Sequence, residues 1–328
     1  MAYGSRVTHI LDDHSMGGVT RALKNFQHPT ILATGEQVSA DLGTILKRAD
    51  HQTGTAILHF TASWKKLTAL AKLRGLGFSK IIMVEHTYTD GFECNCVSNR
   101  LRFRMMLRAA YKLVDHVVAV SQNQCDWILS ARLVPENKVT VIAQARDCSN
   151  FLDLEYPKPH SKPLQLGAYG RFHEQKGFDL LIEAMAQIDP NVCQLRLCGY
   201  GDQHQELEAK CATFPHILIE PAFKCPAKFL SETDVVAIPS RWEAFGLVGA
   251  EARAAGRPLI AAKIDGLVGQ IGTHSWSFEA GNVMALGDAI LNAASSTNIM
   301  ERGERARAHA WGEFDQMVKN WAGFLTAL

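Results

Sequence analysis

Glu243 and Glu251 stand eight residues apart in PSRWEAFGLVGAEARAAGRP, residues 239–258. The first falls in a loop ahead of a helix predicted over 245–255, the second inside that helix. The backbone N–H groups of Phe245, Gly246 and Leu247 would open the helix unpaired. Carboxylates accept from hydroxyls and free amides donate to phosphate, so together they suit a phosphorylated sugar. A second set lies in Gly170-Arg171-Phe172-His173-Glu174-Gln175-Lys176-Gly177. An always-charged Arg and a Lys between a strand end and a helix N-terminus can neutralise negative charge without a metal ion. Gly17-Gly18, between the first strand and a helix, would let backbone approach a phosphate. His86, in EHTYTDG, directly follows a strand end.

These residues need strands and helices to hold them. Val235-Val236-Ala237-Ile238 reads as a buried parallel strand before the Glu243 loop. Gly256 sits where that loop's helix should stop, and Pro258 follows. Upstream, strands are predicted at 7–11, 30–33, 56–60, 80–84, 116–121 and 139–143. Helices are predicted at 21–26, 40–49, 64–73, 99–113 and 123–131. Strands spaced by helices of this length mean βαβ units and a parallel sheet, with ligands at the carboxyl ends of the strands. Pro157, Pro159 and Pro163 among polar residues mark 147–163 as a linker. The alternation resumes with strands at 164–168, 194–198, 217–219 and 259–262, and with helices at 178–187, about 203–213 and 228–232. A last helix, 309–328, carries Trp311, Phe314, Val318, Trp321, Phe324 and Leu325 on an apolar face.

Composition narrows the class of function. The 328 residues suggest two domains. A net charge of +1 gives no polyanion-binding surface, so nucleic acid is not expected. Nothing approaches an 18-residue apolar run, and the start lacks a signal-peptide core, so a cytoplasmic protein is expected. The eight cysteines form no CxxC pair and are expected to be free thiols. The helix at 99–113 is basic: it could meet anionic lipid at the inner membrane face or a phosphorylated acceptor, or simply solvate its arginines.

Glu243-Ala244-Phe245-Gly246-Leu247-Val248 through Glu251 resembles the E-x7-E signature of the retaining glycosyltransferases of family 4, with Ala244 where Pro or Gly is usual. Gly170-Arg171 through Lys176-Gly177 resembles that family's diphosphate clamp, and Gly199-Tyr200-Gly201 its G-x-G turn. The resemblance implies an α/β protein of the GT-B fold: two Rossmann-like domains facing across a cleft. Residues 1–150 would be the acceptor domain, 164–308 the nucleotide-sugar domain, and 309–328 a helix returning to the first. The implied activity is metal-independent, retaining transfer of a hexose from a nucleotide-diphosphate sugar, with no other cofactor. The acceptor would be a glycan or a lipid-linked glycan of the envelope or exopolysaccharide type.

The resemblance also implies residue roles. Arg171 and Lys176 would stabilise the diphosphate. Glu251 would take ribose hydroxyls and Glu243 the sugar's. Gly17, Gly18 and the 245–247 amides would hold sugar or phosphate, and His86 would touch the sugar. Two departures stand out. Glu220-Pro221-Ala222-Phe223 replaces the glycine usual near the base, leaving Phe223 to stack on the base or to pack. Val268-Gly269 replaces the Pro-Glu usual after Gly-Leu. A nucleotide-sugar epimerase or hydrolase on the same fold, or a non-catalytic nucleotide-sugar scaffold, fits the same residues, although four intact charged positions disfavour a scaffold.

Overall fold

The computed structural model describes residues 6–12, 18–48, 52–157, 163–222 and 225–328. Contacts divide the chain into two units, Met1–Arg146 with Gly312–Leu328, and Asp147–Trp311. In the first, β1 (Val7–Leu11), β2 (Gln37–Asp41), β3 (Thr55–Leu58), β4 (Lys80–Glu85), β5 (His116–Ala119) and β6 (Val139–Val141) form one sheet. Its order is β2-β1-β3-β4-β5-β6, all parallel. The second unit has β7 (Leu164–Arg171), β8 (Cys193–Tyr200), β9 (Ile217–Pro221), β10 (Val235–Ile238), β11 (Leu259–Ala262) and β12 (Trp276–Phe278). Their order is β12-β11-β10-β7-β8-β9, again all parallel. Both units are Rossmann-like α/β domains.

The central strands are runs of Val, Ile, Leu and Ala because helices cover both faces of each sheet, leaving no exposed side to call for alternation. β3, β10 and β11 are buried along their whole length. Since every strand of a sheet points the same way, their carboxyl ends share one edge, and the candidate residues gather there.

The structure corrects several expectations. Residues 30–33 are not a strand: Pro29–Leu32 is a helical turn. Pro29 at its first position and the His28 ring, which accepts from the Thr30 amide, outweigh the short apolar pair Ile31-Leu32. Residues 40–49 are not one helix: β2 runs to Asp41, whose carboxylate caps a helix over Leu42–Leu46. The proline-bearing stretch after Asp147 is ordered on the second unit over its described part. Phe151 is fully buried, and Arg257 and Arg307 donate to the carbonyls of Glu155 and Leu154. Among the described residues the structure adds β2, β12 and the helices Asp90–Cys96, Val283–Ala294 and Ile299–Ala310.

The last helix is Glu313–Thr326. Gly312, at φ 78°, breaks the chain ahead of it, and Trp311 is 71% exposed rather than on the packed face. The buried face is Met317, Val318, Trp321 and Leu325, with the Trp321 ring 4.8 Å from Phe26.

Candidate functional site

In the second unit, the loops after β7 and β10 are stitched together. Arg241 makes a two-pronged ion pair with Asp179 at 2.8 and 2.7 Å and donates to the Glu174 carbonyl. Its own amide donates to the Gln175 carbonyl, and the Gln175 side chain donates to the Trp242 carbonyl. Between these staples Lys176 Nζ meets Glu243 Oε2 at 2.5 Å, both side chains mostly shielded. Ser240 Oγ donates to the same carboxylate oxygen at 3.3 Å. The two candidates, 67 residues apart, are therefore one ion pair. Arg171, the last residue of β7, is exposed.

Backbone geometry demands glycine at the junction. Gly177 has φ 63°, and a Cβ there would lie 2.1 Å from the Pro239 carbonyl oxygen. Gly177→Ala should therefore destabilise the second unit by about 2 kcal/mol or more, since backbone must move to relieve the clash. Urea unfolding of the variant checks this; an unchanged midpoint would mean the loops are not held so closely.

The helix after Glu243 is Leu247–Ala254, shorter at both ends than predicted. Gly246, at φ 95°, is its N-cap and Gly256, at φ 67°, follows its end. Among the described residues no acceptor meets the amides of Phe245, Gly246 or Leu247. Their neighbours are fixed by the opposite loop: Gln270 Nε2 donates to the carbonyls of Phe245 and Gly246 at 2.6 and 3.0 Å. Asp265, a non-glycine residue at φ 41°, accepts from the Glu243 amide at 3.1 Å, and Gly266 N donates to the Glu243 carbonyl. Three amides without an acceptor thus stand at the start of this helix, where the helix dipole favours an anion.

Glu251 is 2% exposed and accepts from the Tyr169 hydroxyl at 2.8 Å. Gly199 lies where β8 presses on β7: a Cβ there would come within 2.0 Å of the Gly170 carbonyl oxygen. Sequence reasoning missed the residues that hold this site, namely Tyr169, Arg241, Asp265 and Gln270. It also missed Arg253, fully buried, whose guanidinium bonds His309 Nδ1 at 2.7 Å and Gln270 Oε1 at 3.2 Å.

In the first unit His86 follows β4 directly, half-buried. The loop after it is clasped by Glu85, whose Oε1 accepts from the amides of Thr87 and Tyr88 and whose Oε2 accepts from the Tyr111 hydroxyl at 2.7 Å. Burial raises the Glu85 pKa against the opposing pull of these bonds. His86 belongs to a chain of rings: His9 Nδ1 lies 2.9 Å from His59 Nε2, and His59 Nδ1 lies 3.1 Å from His86 Nε2. His9, in the middle of β1, was legible only as a polar residue beside Thr8 in a short strand. Gly18 opens the Gly18–Leu23 helix, while Gly17 and Phe223 lie outside the described residues.

On the basic helix Arg100–Lys112, Arg104 is bound to Glu93 and Arg108 to the carbonyls of Ala131 and Arg132, so part of its charge is structural. Among the described residues no helix is long and apolar enough to cross a membrane.

Residues 163–296 match the family model described as Glycosyl transferases group 1. A D-inositol 3-phosphate glycosyltransferase of Xylanimonas cellulosilytica is 38% identical over 117 residues, 33% of this chain and 28% of that protein. The capsular polysaccharide biosynthesis glycosyltransferase CapM of Staphylococcus aureus is 22% identical over 233 residues, 65% of this chain and 61% of that one. The chain thus spans less than two thirds of these relatives. Among solved structures, Anabaena Alr3699/HepE in complex with UDP-glucose superposes with a TM-score of 0.77 at 18% identity, covering 99% of this chain and all of that one. That likeness is one of fold, the GT-B class.

Proposed function

We propose that the chain transfers a hexose, with retention, from a nucleotide-diphosphate sugar to a hydroxyl of a glycan or lipid-linked acceptor. The observation that carries this reading is the Lys176–Glu243 pair beside the open amides of Phe245 to Leu247, at the strand ends of a segment matching the group 1 glycosyl transferases. It is supported by relatives whose names are those of glycosyltransferases, and by a fold shared with a protein crystallised with UDP-glucose.

In this reading Lys176 keeps one of its three ammonium protons on Glu243 and turns the others to the diphosphate. Arg171 adds a second positive charge. The Phe245–Leu247 amides hold an anionic or polyol oxygen, Glu243 accepts from a sugar hydroxyl, and Glu251, already fixed by Tyr169, accepts from the ribose. Gly199 lines the turn near the nucleotide, and Gly17, Gly18 and His86 serve the phosphate and the sugar. No metal is assigned a role, because Arg171, Lys176 and the amides supply the leaving group's neutralisation. Transfer proceeds on the face the leaving group departs from, with no enzymic nucleophile.

Thermal unfolding with a panel of nucleoside diphosphates and their sugars tests the reading. A ligand at ~100 times its dissociation constant adds about 2.7 kcal/mol, a shift of several degrees. One base series should stabilise the protein, and Glu251→Ala should abolish the shift. No shift with any nucleotide or nucleotide sugar would overturn the reading in favour of a scaffold without a donor site.

A further inference from the structure

Three histidine rings from three adjacent strands, β1, β3 and β4, form one unbroken hydrogen-bonded chain. It begins at Gln37 on β2. The Gln37 amide nitrogen donates to the Gly35 carbonyl at 3.1 Å, which fixes the amide's orientation and turns Oε1 to His9 Nε2 at 3.0 Å. An amide oxygen can only accept, so His9 carries its proton on Nε2. All three rings have pKa values far below the ordinary 6.5, chiefly from burial, so each is neutral and carries one N–H. His9 Nδ1 is then a lone pair, and the proton between it and His59 must come from His59 Nε2. The same step repeats: His59 Nδ1 is a lone pair, and His86 Nε2 donates to it. His86 Nδ1 is left bare. It is shielded from solvent and, among the described residues, has no hydrogen-bond partner.

A chain that runs in one direction ends in a defined chemical species. Reversing any ring would set two N–H groups or two lone pairs against each other in a buried site, which costs about the desolvation of an unmade bond, ~1–3 kcal/mol, at each junction. The rings are also held mechanically. His9 and His59 lie with centroids 5.2 Å apart, His59 and His86 5.4 Å apart, and Phe26 packs on His9 at 4.2 Å. A buried lone pair without a donor is costly, and a ligand hydroxyl removes that cost where a ligand carbonyl cannot.

We propose that Gln37, His9 and His59 are positioning residues that lock His86 as its Nε2–H tautomer, making Nδ1 an obligatory acceptor for a hydroxyl of the bound sugar. This rests on the glycosyltransferase reading for the ligand, but the tautomer lock itself does not. Four elements, β2 and the ends or middle of β1, β3 and β4, thus specify one lone pair, and the site demands a hydrogen-bond donor there.

The test separates the two layers. Protein labelled with 15N-histidine at pH 7 should show His9, His59 and His86 each with a pyrrole-type Nε2 and a pyridine-type Nδ1. In Gln37→Leu and in His59→Phe, His86 should become a mixture of tautomers, and the KM for the donor sugar nucleotide should rise in proportion to the fraction lost from the Nε2–H form, about twofold for an even mixture. Gln37→Leu is the safeguard if His59→Phe does not fold. A protonated Nδ1 on His86 in the wild type overturns the proposal. So does an unchanged KM in both variants when His86→Phe is impaired: the donor reading would then stand and the positioning claim fall. If the wild type turns over no nucleotide sugar, the functional reading fails, and the nitrogen shifts still decide whether the relay exists.

Discussion

Lys176→Met lowers the turnover number by about 10²–10³-fold, the loss expected when one preorganised donor is removed from developing negative charge in a shielded site. Met keeps most of the side chain's volume, so the β7 and β10 loops, held by Arg241, Asp179 and Gln175, stay in place. In the proposed reading the ammonium has two effects: it compensates the Glu243 carboxylate, and it would meet the leaving diphosphate during transfer. A double-mutant cycle separates them. Glu243→Gln alone loses a sugar contact and frees Lys176; if the pair works as a unit, the double variant is far less impaired than the product of the single losses. Arg171→Met, at an exposed position, should lose less than Lys176→Met. Initial rates with saturating donor decide it: Lys176→Met within about threefold of the wild type would remove the lysine from the transition state and leave it a structural counter-ion for Glu243.

Most of this site was legible because its parts are local. Gly170 to Gly177 and Glu243 to Glu251 are short strings whose strand, turn and helix are set by neighbouring residues, and their chemistry can be read from residue types. What joins them was not legible. Nothing in the sequence near Lys176 announces Glu243; the pairing exists because β7 and β10 are neighbours in a sheet whose order is not the order of the chain. The buried arginines show the same limit. Arg253 and Arg257 look like solvated charges on and after a surface helix, yet they are 0% and 1% exposed, anchored on Gln270, His309 and the carbonyls of Leu230 and Glu155. Short helices also escaped. Residues 29–32 and 42–46 are single turns fixed by the His28 and Asp41 caps, too short for any hydrophobic period to show.

The first unit loses stability as pH falls from about 6.5 to about 4. Burial lowers the pKa of His9 and His86 to about 4 and holds His59 well below its ordinary value, with the neighbouring histidines adding to the shift at His59. At pH 7 these rings are neutral in both the folded and the unfolded chain, so they carry no penalty. Between 6.5 and 4 the unfolded chain binds protons that the folded chain refuses. Stability therefore rises with pH in this window and falls as the solution is acidified. A ring shifted to about 4 costs up to about 3 kcal/mol by the lower end, and the buried His59 adds a loss of the same sign. Glu85 works the other way, since a buried carboxyl with a raised pKa favours the folded state in acid, but it is one group against four, because burial and the Lys138 charge lower His116 as well. The lowered carboxyls of Glu93 and Asp115 add to the loss only further down, where carboxylates titrate. His274, held at about 4 by burial and the charges of His309 and Arg253, gives the second unit a smaller loss of the same sign. Urea unfolding at pH 7, 6 and 5, followed by hydrogen exchange of β1, β3 and β4, measures the effect on the first unit alone. The midpoint should fall steeply, and His59→Gln, which removes one titrating ring, should flatten the slope by about one proton. A midpoint constant from pH 7 to 5 would mean the rings are charged or solvated in the folded chain, and the relay that depends on their neutrality would not exist.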